Sequence, residues 1–488
     1  MHIALSDWQT DLEESSPNLI RAWAAMLAVA LLVVGCLLVG QAAALRLLFP
    51  AVSLLVGVYL YFKFPAQYVS FVWGVWMLSP FIRRVVDWQS GWVDPSPVLL
   101  APVLVSCVAG AGFLRHVLSS VRDGGLPFAL AFAGVLYGLG VGLIRSGGDY
   151  TLAQPMLTWL VPIFLGFHLF INWREYPAFR RELQRTFVAG ALTMGIYGVV
   201  QFLSAPMWDR FWMVNIEYGS FGTPEPLGIR VFSTLNAPGP FSVVMMAALL
   251  VLFGSRGWLR FPAAIGGYLS FLLCMTRSAW IGWLVGFVTL LAKMESRARL
   301  KLIVVVLLLA GAIVPLAALE PFASVVGPRI QSMTNPKDDI SLAARLEGYG
   351  KYLRDAVTDP FGKGIGIMDR EYAIAPDDEG IGPHDSAILE LLLSLGFLGA
   401  ALYGAGLIAL LFGLRAPGGV GVRSDSFANA AKAIGLGMFA QLILGSVMLG
   451  VMGAILWGFA GVVIAAGKYH AEFAGQPVSA EGTVLQEN

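Results

Sequence analysis

The sequence predicts an all-α protein that crosses a membrane many times, on three observations. Hydrophobic residues make up 57% of the 488 positions and charged residues only 13%, against roughly a quarter charged in an ordinary soluble protein. Mean hydropathy is +0.73. The apolar sequence runs on in windows near the ~20 residues that a helix needs to cross ~30 Å of hydrocarbon at 1.5 Å per residue, more than a compact soluble core would use. The formal charge of +1 gives no support to nucleic-acid binding. Cys36, Cys107 and Cys274 each lie inside or at the end of an apolar run with no partner nearby in sequence, so neither a disulfide framework nor a cysteine-ligated metal is expected.

Residues 1–17 are polar and acidic and lack the basic-then-apolar order of a cleaved signal, so the first span is expected to stay in place. Apolar windows follow at 21–40, 43–62, 66–82, 97–114, 126–144, 155–172, 186–204, 237–254, 260–275, 279–293, 301–319, 386–413, 427–448 and 450–468. These 14 spans form a single integral membrane domain over 1–488, and an even number puts both termini on one side. The short connections carry Arg115 and Arg122, then Arg174, Arg180, Arg181 and Arg185, then Arg256 and Arg260, then Lys293, Arg297, Arg299 and Lys301, then Arg415 and Arg423. All fall on one face under this count, and the positive-inside rule makes that face cytoplasmic, with the termini.

Two long connections, 205–236 and 320–385, lie on the opposite face and hold most of the polar residues that topology does not need, so function is sought there. In the first, Trp208 and Trp212 are four apart, which suits a short helix at the lipid surface acting as an aromatic-belt anchor. In the second, Asp338 and Asp339 precede a stripe of Leu342, Leu346, Tyr349 and Leu353, which predicts an amphipathic helix over about 340–356. Pro360 and the run Gly362, Lys363, Gly364, Ile365, Gly366 end it in a flexible turn. That run lacks the Gly-Lys-Ser/Thr ending of a P-loop.

The cytoplasmic loops are too short to fold a nucleotide-binding domain, so if the protein is an enzyme its donor must arrive already activated, and a lipid is the carrier a membrane offers. A lipid diphosphate needs fixed positive charge, which arginine supplies through a planar fork that binds phosphate oxygens bidentately. Arg230 precedes the eighth span, Arg277 sits in the tight turn between the ninth and tenth, and Arg345 lies on the amphipathic helix. Each alone also reads as an arginine snorkelling at the interface. His384, just before the twelfth span, has the ordinary pKa to accept a proton from a sugar hydroxyl near neutrality. Asp385 or Glu390 stands close enough in sequence to orient it, although Asp385 and Ser386 also read as a helix cap.

These segments resemble the O-antigen ligase and polymerase superfamily of bacterial inner-membrane proteins. The resemblance is carried by Arg345, Leu346, Glu347, Gly348 and Tyr349, then Asp359 to Gly366, then Pro383, His384, Asp385 and Ser386 running into a helix with Gly396 and Gly399. The Arg230 segment with Asn236 and Pro238, and the turn of Thr276, Arg277 and Ser278, fit two further family segments, so coverage runs from about 186 to 413. Asp385 stands where the family usually has Asn.

What the resemblance implies is an inverting, metal-independent and cofactor-free glycosyltransferase at the periplasmic face of the inner membrane. Its donor would be an undecaprenyl-diphosphate-linked glycan. A polymerase of O-antigen or exopolysaccharide moves the growing chain onto another lipid-linked repeat unit, and a ligase moves it onto lipid A-core or, in some members, onto protein. The resemblance assigns Arg230, Arg277 and Arg345 to the diphosphate and His384 to the acceptor proton. Asn236, Tyr349, Asp385 and Glu390 would contact substrate. Membrane lipid, the glycan acceptor and a chain-length regulator protein are the expected partners. A transporter of lipid-linked sugars is the rival reading, but transporters place ionisable groups near the midplane and show repeated halves, whereas the polar residues here gather on one face.

Overall fold

A computed structural model describes residues 17–148, 152–216, 221–293, 340–368, 386–415, 424–442 and 444–473, with scattered positions at 296–311 and residue 421. At 17–18, 293 and 340–348 it describes the backbone alone. The described residues form a helical bundle of α1 (Pro17–Leu38), α2 (Leu45–Lys63), α3 (Pro65–Ser90), α4 (Leu100–Cys107), α5 (Gly110–Ser120), α6 (Leu126–Ser146), α7 (Ala153–Ile171), α8 (Tyr176–Ser204), α9 (Met207–Asn215), α10 (Pro238–Gly254), α11 (Arg260–Leu273), α12 (Arg277–Lys293), α13 (Ile340–Thr358), α14 (Ala387–Arg415), α15 (Ser426–Gln441) and α16 (Gly450–Phe473). No strand occurs among the described residues, only one isolated bridge between Gly222 and Ile229.

Nine stretches among the described residues are long and apolar enough to cross a membrane, which makes this a multi-pass membrane protein. They include a single stretch from Pro97 to Asp123, in which α4 and α5 follow one another. The 17-residue α10 is shorter, and every residue from Phe241 to Leu252 in it is buried. A helix apolar on all sides belongs at the centre of a bundle, and α10 packs there against α8, α11, α12, α15 and α16. By contrast α1 exposes Ile20, Leu27, Leu31 and Leu38, as a helix facing lipid would.

The tightest helix pairs close through glycine. A Cβ added at Gly134 of α6 would lie 2.6 Å from the carbonyl oxygen of Gly399 on α14, and one at Gly195 of α8 would lie 2.6 Å from the amide of Gly267 on α11. Gly437 of α15 meets Gly282 of α12 at 2.5 Å in the same sense, and Gly461 of α16 meets Gly166 of α7. Lipid tails are as apolar as leucine, so helices in a membrane associate by close packing, and small residues permit it.

The ends of α3, α8 and α11 gather with the starts of α10, α12 and α14 at one end of the bundle, called here the Arg84 end. The opposite end carries Asp425, which caps α15 by accepting from the Phe427 and Ala428 amides at 3.0 and 3.1 Å.

The third span and the turn after α13 differ from the sequence reading. The third span does not stop at 82: α3 continues to Ser90 and carries Arg83, Arg84 and Asp87 into the packed interior. The turn after α13 is not loose, because Lys363 donates its amide to Leu393 O at 2.7 Å and Ile365 to Gly138 O at 3.1 Å. It wedges between α6 and α14 and breaks α14 at Gly396, whose φ of 62° and ψ of −178° are open only to glycine. The Phe397 amide freed by the break is taken by Pro360 O at 2.9 Å.

Candidate functional site

The segment 229–237 leads into α10 and carries Arg230 and Asn236. Its inner side is held by a buried polar unit. Arg84 donates through Nη1 to Leu235 O at 2.7 Å and through Nη2 to Ser233 O. Gln201 Oε1 accepts from the amides of Phe232 and Ser233 at 3.0 and 2.8 Å. Both side chains converge on Asp209, which is fully buried. Arg84 Nε lies 3.1 Å from Asp209 Oδ1 as an ion pair, while Gln201 Nε2 and the Tyr197 hydroxyl donate to Oδ2 at 2.9 and 2.6 Å. Such a pair is tolerated inside because its remaining atoms find hydrogen bonds.

This corrects the reading of α9 as an aromatic anchor on the lipid surface. Trp212 is 3% exposed and Asp209 is buried, so the helix is turned inward onto the end of α3. Trp208 donates to the Tyr197 hydroxyl at 2.6 Å. The Arg83 guanidinium lies 4.9 Å from the Trp92 ring and 4.6 Å from the Trp212 ring, and is paired with Asp87 and Asp94. The aromatic spacing suits a lipid anchor and a packed helix equally; the one distinguishing signal is an acid among the tryptophans, matched by two adjacent arginines just past a predicted span end.

The structure brings Arg230 to the turn that leads into Arg277. Arg230 Nη2 lies 3.4 Å from both Cys274 O and Met275 O, and its backbone neighbour Val231 donates to Leu273 O at 3.2 Å. Arg277 then opens α12. Five residues further, Gly282 packs directly on Gln441 at the end of α15, and the adjacent Leu442 O accepts from the Ala387 amide at the start of α14 at 3.2 Å. Next to Ala387, the Ser386 hydroxyl receives the Tyr349 hydroxyl of α13 at 2.5 Å. Segments far apart in sequence thus meet at one end of the bundle.

Of the expected residues, Arg230, Asn236, Arg277, Tyr349 and Glu390 all lie in this chain of contacts or beside it. Glu390 is fully buried and bonds the Ser446 hydroxyl in the turn before α16. That places it as a clamp between α14 and the 444–449 turn. Arg345 is placed by its backbone alone, four residues before Tyr349 on α13. His384 and Asp385 lie outside the described residues, with Ser386 the nearest described neighbour. Among the described residues no three His, Cys, Asp or Glu side chains form a metal-ligand set.

Chemically, this end offers guanidinium groups for an anion, aromatic and aliphatic surface for a lipid, and hydroxyl and amide groups for a sugar. No protein-family model matches the chain, and no curated protein matches it.

Proposed function

We propose that the protein is a membrane glycosyltransferase of the O-antigen polymerase and ligase type, joining undecaprenyl-diphosphate-linked oligosaccharide units at the periplasmic face of a bacterial inner membrane. The observation that supports it most is the approach of Arg230 to the turn leading into Arg277, 3.4 Å from Cys274 O and Met275 O, across more than forty residues of sequence. Two guanidinium-bearing segments held together at a helix start suit a diphosphate, whose oxygens only accept hydrogen bonds. In this reading fourteen spans place both termini in the cytoplasm and the Arg84 end outside.

In the reaction, the acceptor hydroxyl attacks the anomeric carbon of the donor sugar from the face opposite the diphosphate. The carbon–oxygen bond to the diphosphate breaks, undecaprenyl diphosphate leaves with the bonding pair, and the configuration inverts. Arg230, Arg277 and Arg345 stabilise the charge that grows on the leaving group, and His384 takes the hydroxyl proton. No metal or cofactor takes part in this proposal. Asn236, Tyr349, Asp385 and Glu390 shape the pocket around the two glycans.

The test is gel analysis of lipid-linked and surface glycan in cells lacking the protein, complemented with wild type, Arg277→Ala or His384→Ala. Single repeat units accumulating on the carrier identify a polymerase. Long chains that stay on the carrier identify a ligase using the same chemistry. Either variant should reach the membrane at wild-type level and lose transfer by about 10²–10³-fold, the scale for removing one preorganised donor. Normal polymer in both variants would remove the site assignment.

A further inference from the structure

The segment 229–237 is saturated on one side and unsatisfied on the other. Its backbone groups at Phe232, Ser233 and Leu235 are bonded to Gln201 and Arg84, and the Ser233 hydroxyl donates to Met194 O at 2.6 Å. Yet among the described residues the Thr234 hydroxyl and the Asn236 Oδ1 are buried without a hydrogen-bond partner. Thr234 is 5% exposed. Burying such an atom unpaired is unfavourable, and folded proteins leave few of them. The two lie within three residues of each other, beside a backbone whose own polar groups are bonded.

The backbone supports that reading. Ser233 has φ of 49°, a left-handed conformation that a non-glycine residue keeps only when its surroundings hold it. Arg84 and Gln201 do so, and the consequence is a fixed direction for the residues on either side. Beyond Asn236 the chain opens: a Cβ placed at Gly239 would meet nothing within 4 Å.

The chemistry of the two groups selects the ligand. A threonine hydroxyl both donates and accepts, and an amide presents an accepting oxygen beside a donating nitrogen. Phosphate oxygens only accept, so they leave an amide oxygen unpaired; a sugar hydroxyl, which donates and accepts, satisfies both groups. We infer that Thr234 and Asn236 form a subsite for the hydroxyls of the sugar attached to the diphosphate, on the same segment as Arg230 and fixed by the Arg84, Asp209 and Gln201 unit. This rests on the glycosyltransferase reading and adds to it the group that recognises the donor sugar.

The test uses full-length protein in lipid nanodiscs, with thermal unfolding read in the presence of undecaprenyl diphosphate or of an undecaprenyl-diphosphate-linked oligosaccharide. Thr234→Val keeps the shape and removes the hydroxyl. It should melt at or above the wild-type temperature without ligand, because no internal bond is lost. It should bind undecaprenyl diphosphate as wild type does, and lose about tenfold of the additional affinity for the glycosylated lipid. Thr234→Ser should retain that preference. A Thr234→Val protein that keeps the wild-type preference, or one that melts lower while Thr234→Ser does not, overturns the subsite alone. Wild type stabilised by neither lipid overturns the donor reading and the subsite with it.

Discussion

The Arg84–Asp209 pair has no side-chain exposure on either partner, and its energetics follow from that. Two ions this deep gain little net stability from each other, but removing one strands the other. Asp209→Ala should therefore destabilise the protein by about 3–5 kcal/mol, read as a lowered midpoint of thermal unfolding in nanodiscs. Replacing both, Arg84→Met with Asp209→Leu, should recover much of the loss. Equal losses in the single and double variants would show that Arg84 matters through its carbonyl bonds rather than its charge. At the opposite end, Asp425 obeys a different balance. Burial pushes its carboxyl up, but the Tyr176 hydroxyl at 2.7 Å, the Ala428 amide, His470 and Arg180 together hold it below its ordinary value of 3.8. A carboxylate held low contributes stability that is present above the ordinary value and is lost as pH falls through the lower folded one. Asp425→Asn keeps a capping oxygen yet should flatten the decline of stability below about pH 4, seen in melts across an acid series; an unchanged acid limb would assign it elsewhere. Neither acid stood out in the sequence. Asp209 hides among tryptophans spaced like an anchor, and Asp425 in a short polar loop; only three-dimensional pairing gives them weight. Arg277 drew notice because it stands between two apolar windows, and Arg230 because it lies in the segment leading into the eighth.

At the scale of elements, sequence periodicity located helices well and their ends poorly. The window at 66–82 closes where Arg83 and Arg84 begin, since hydropathy treats arginine as an exit from the membrane, yet α3 runs to Ser90 with both arginines buried. The glycine-rich run after α13 read as a turn, correctly, but nothing in its composition shows that it locks onto α6 and α14. Its geometry makes a sharp prediction. Gly364 has φ of 92°, and a Cβ there would collide with the backbone of Gly142; backbone cannot give way as a flexible side chain does. Gly364→Ala should cost about 1–3 kcal/mol for the conformation and a similar amount for overpacking. Gly404→Ala, on the same bundle but with nothing within 4 Å of the new methyl, should be tolerated. The comparison is made on monodisperse yield and melting temperature after purification in detergent. Similar behaviour of the two variants would mean that the 359–366 segment does not wedge between the helices.

For the molecule as a whole, the open quantity is direction. Every predicted window except 301–319, which lies mostly outside the described residues, overlaps a described helix. The alternation of helices places the basic connections at the Asp425 end and the paired arginines at the other. The two sets of cations differ physically. Those at the Asp425 end sit in the short connections or in the helix segments beside them, as charge retained in the cytoplasm does, whereas Arg83 and Arg84 are enclosed by acids, carbonyls and rings and so tell nothing about topology. Counting them as loop charge would blur the asymmetry; removing them restores it. The resulting orientation is measurable by cysteine labelling in intact cells, after replacement of Cys36, Cys107 and Cys274. Cysteines at Gln89 and Asn215, both exposed at the Arg84 end, should react with a membrane-impermeant maleimide added outside. Cysteines at Asp123 and Trp258, exposed at the opposite end, should react only after the inner membrane is permeabilised. Neither pair alters an arginine that sets the orientation. The reverse labelling pattern would turn the molecule over and carry the Arg230 and Arg277 site into the cytoplasm, where a lipid-linked repeat unit is still being built and has not yet crossed. In that case the polymerase reading would fail on topology alone, whatever the mutants do.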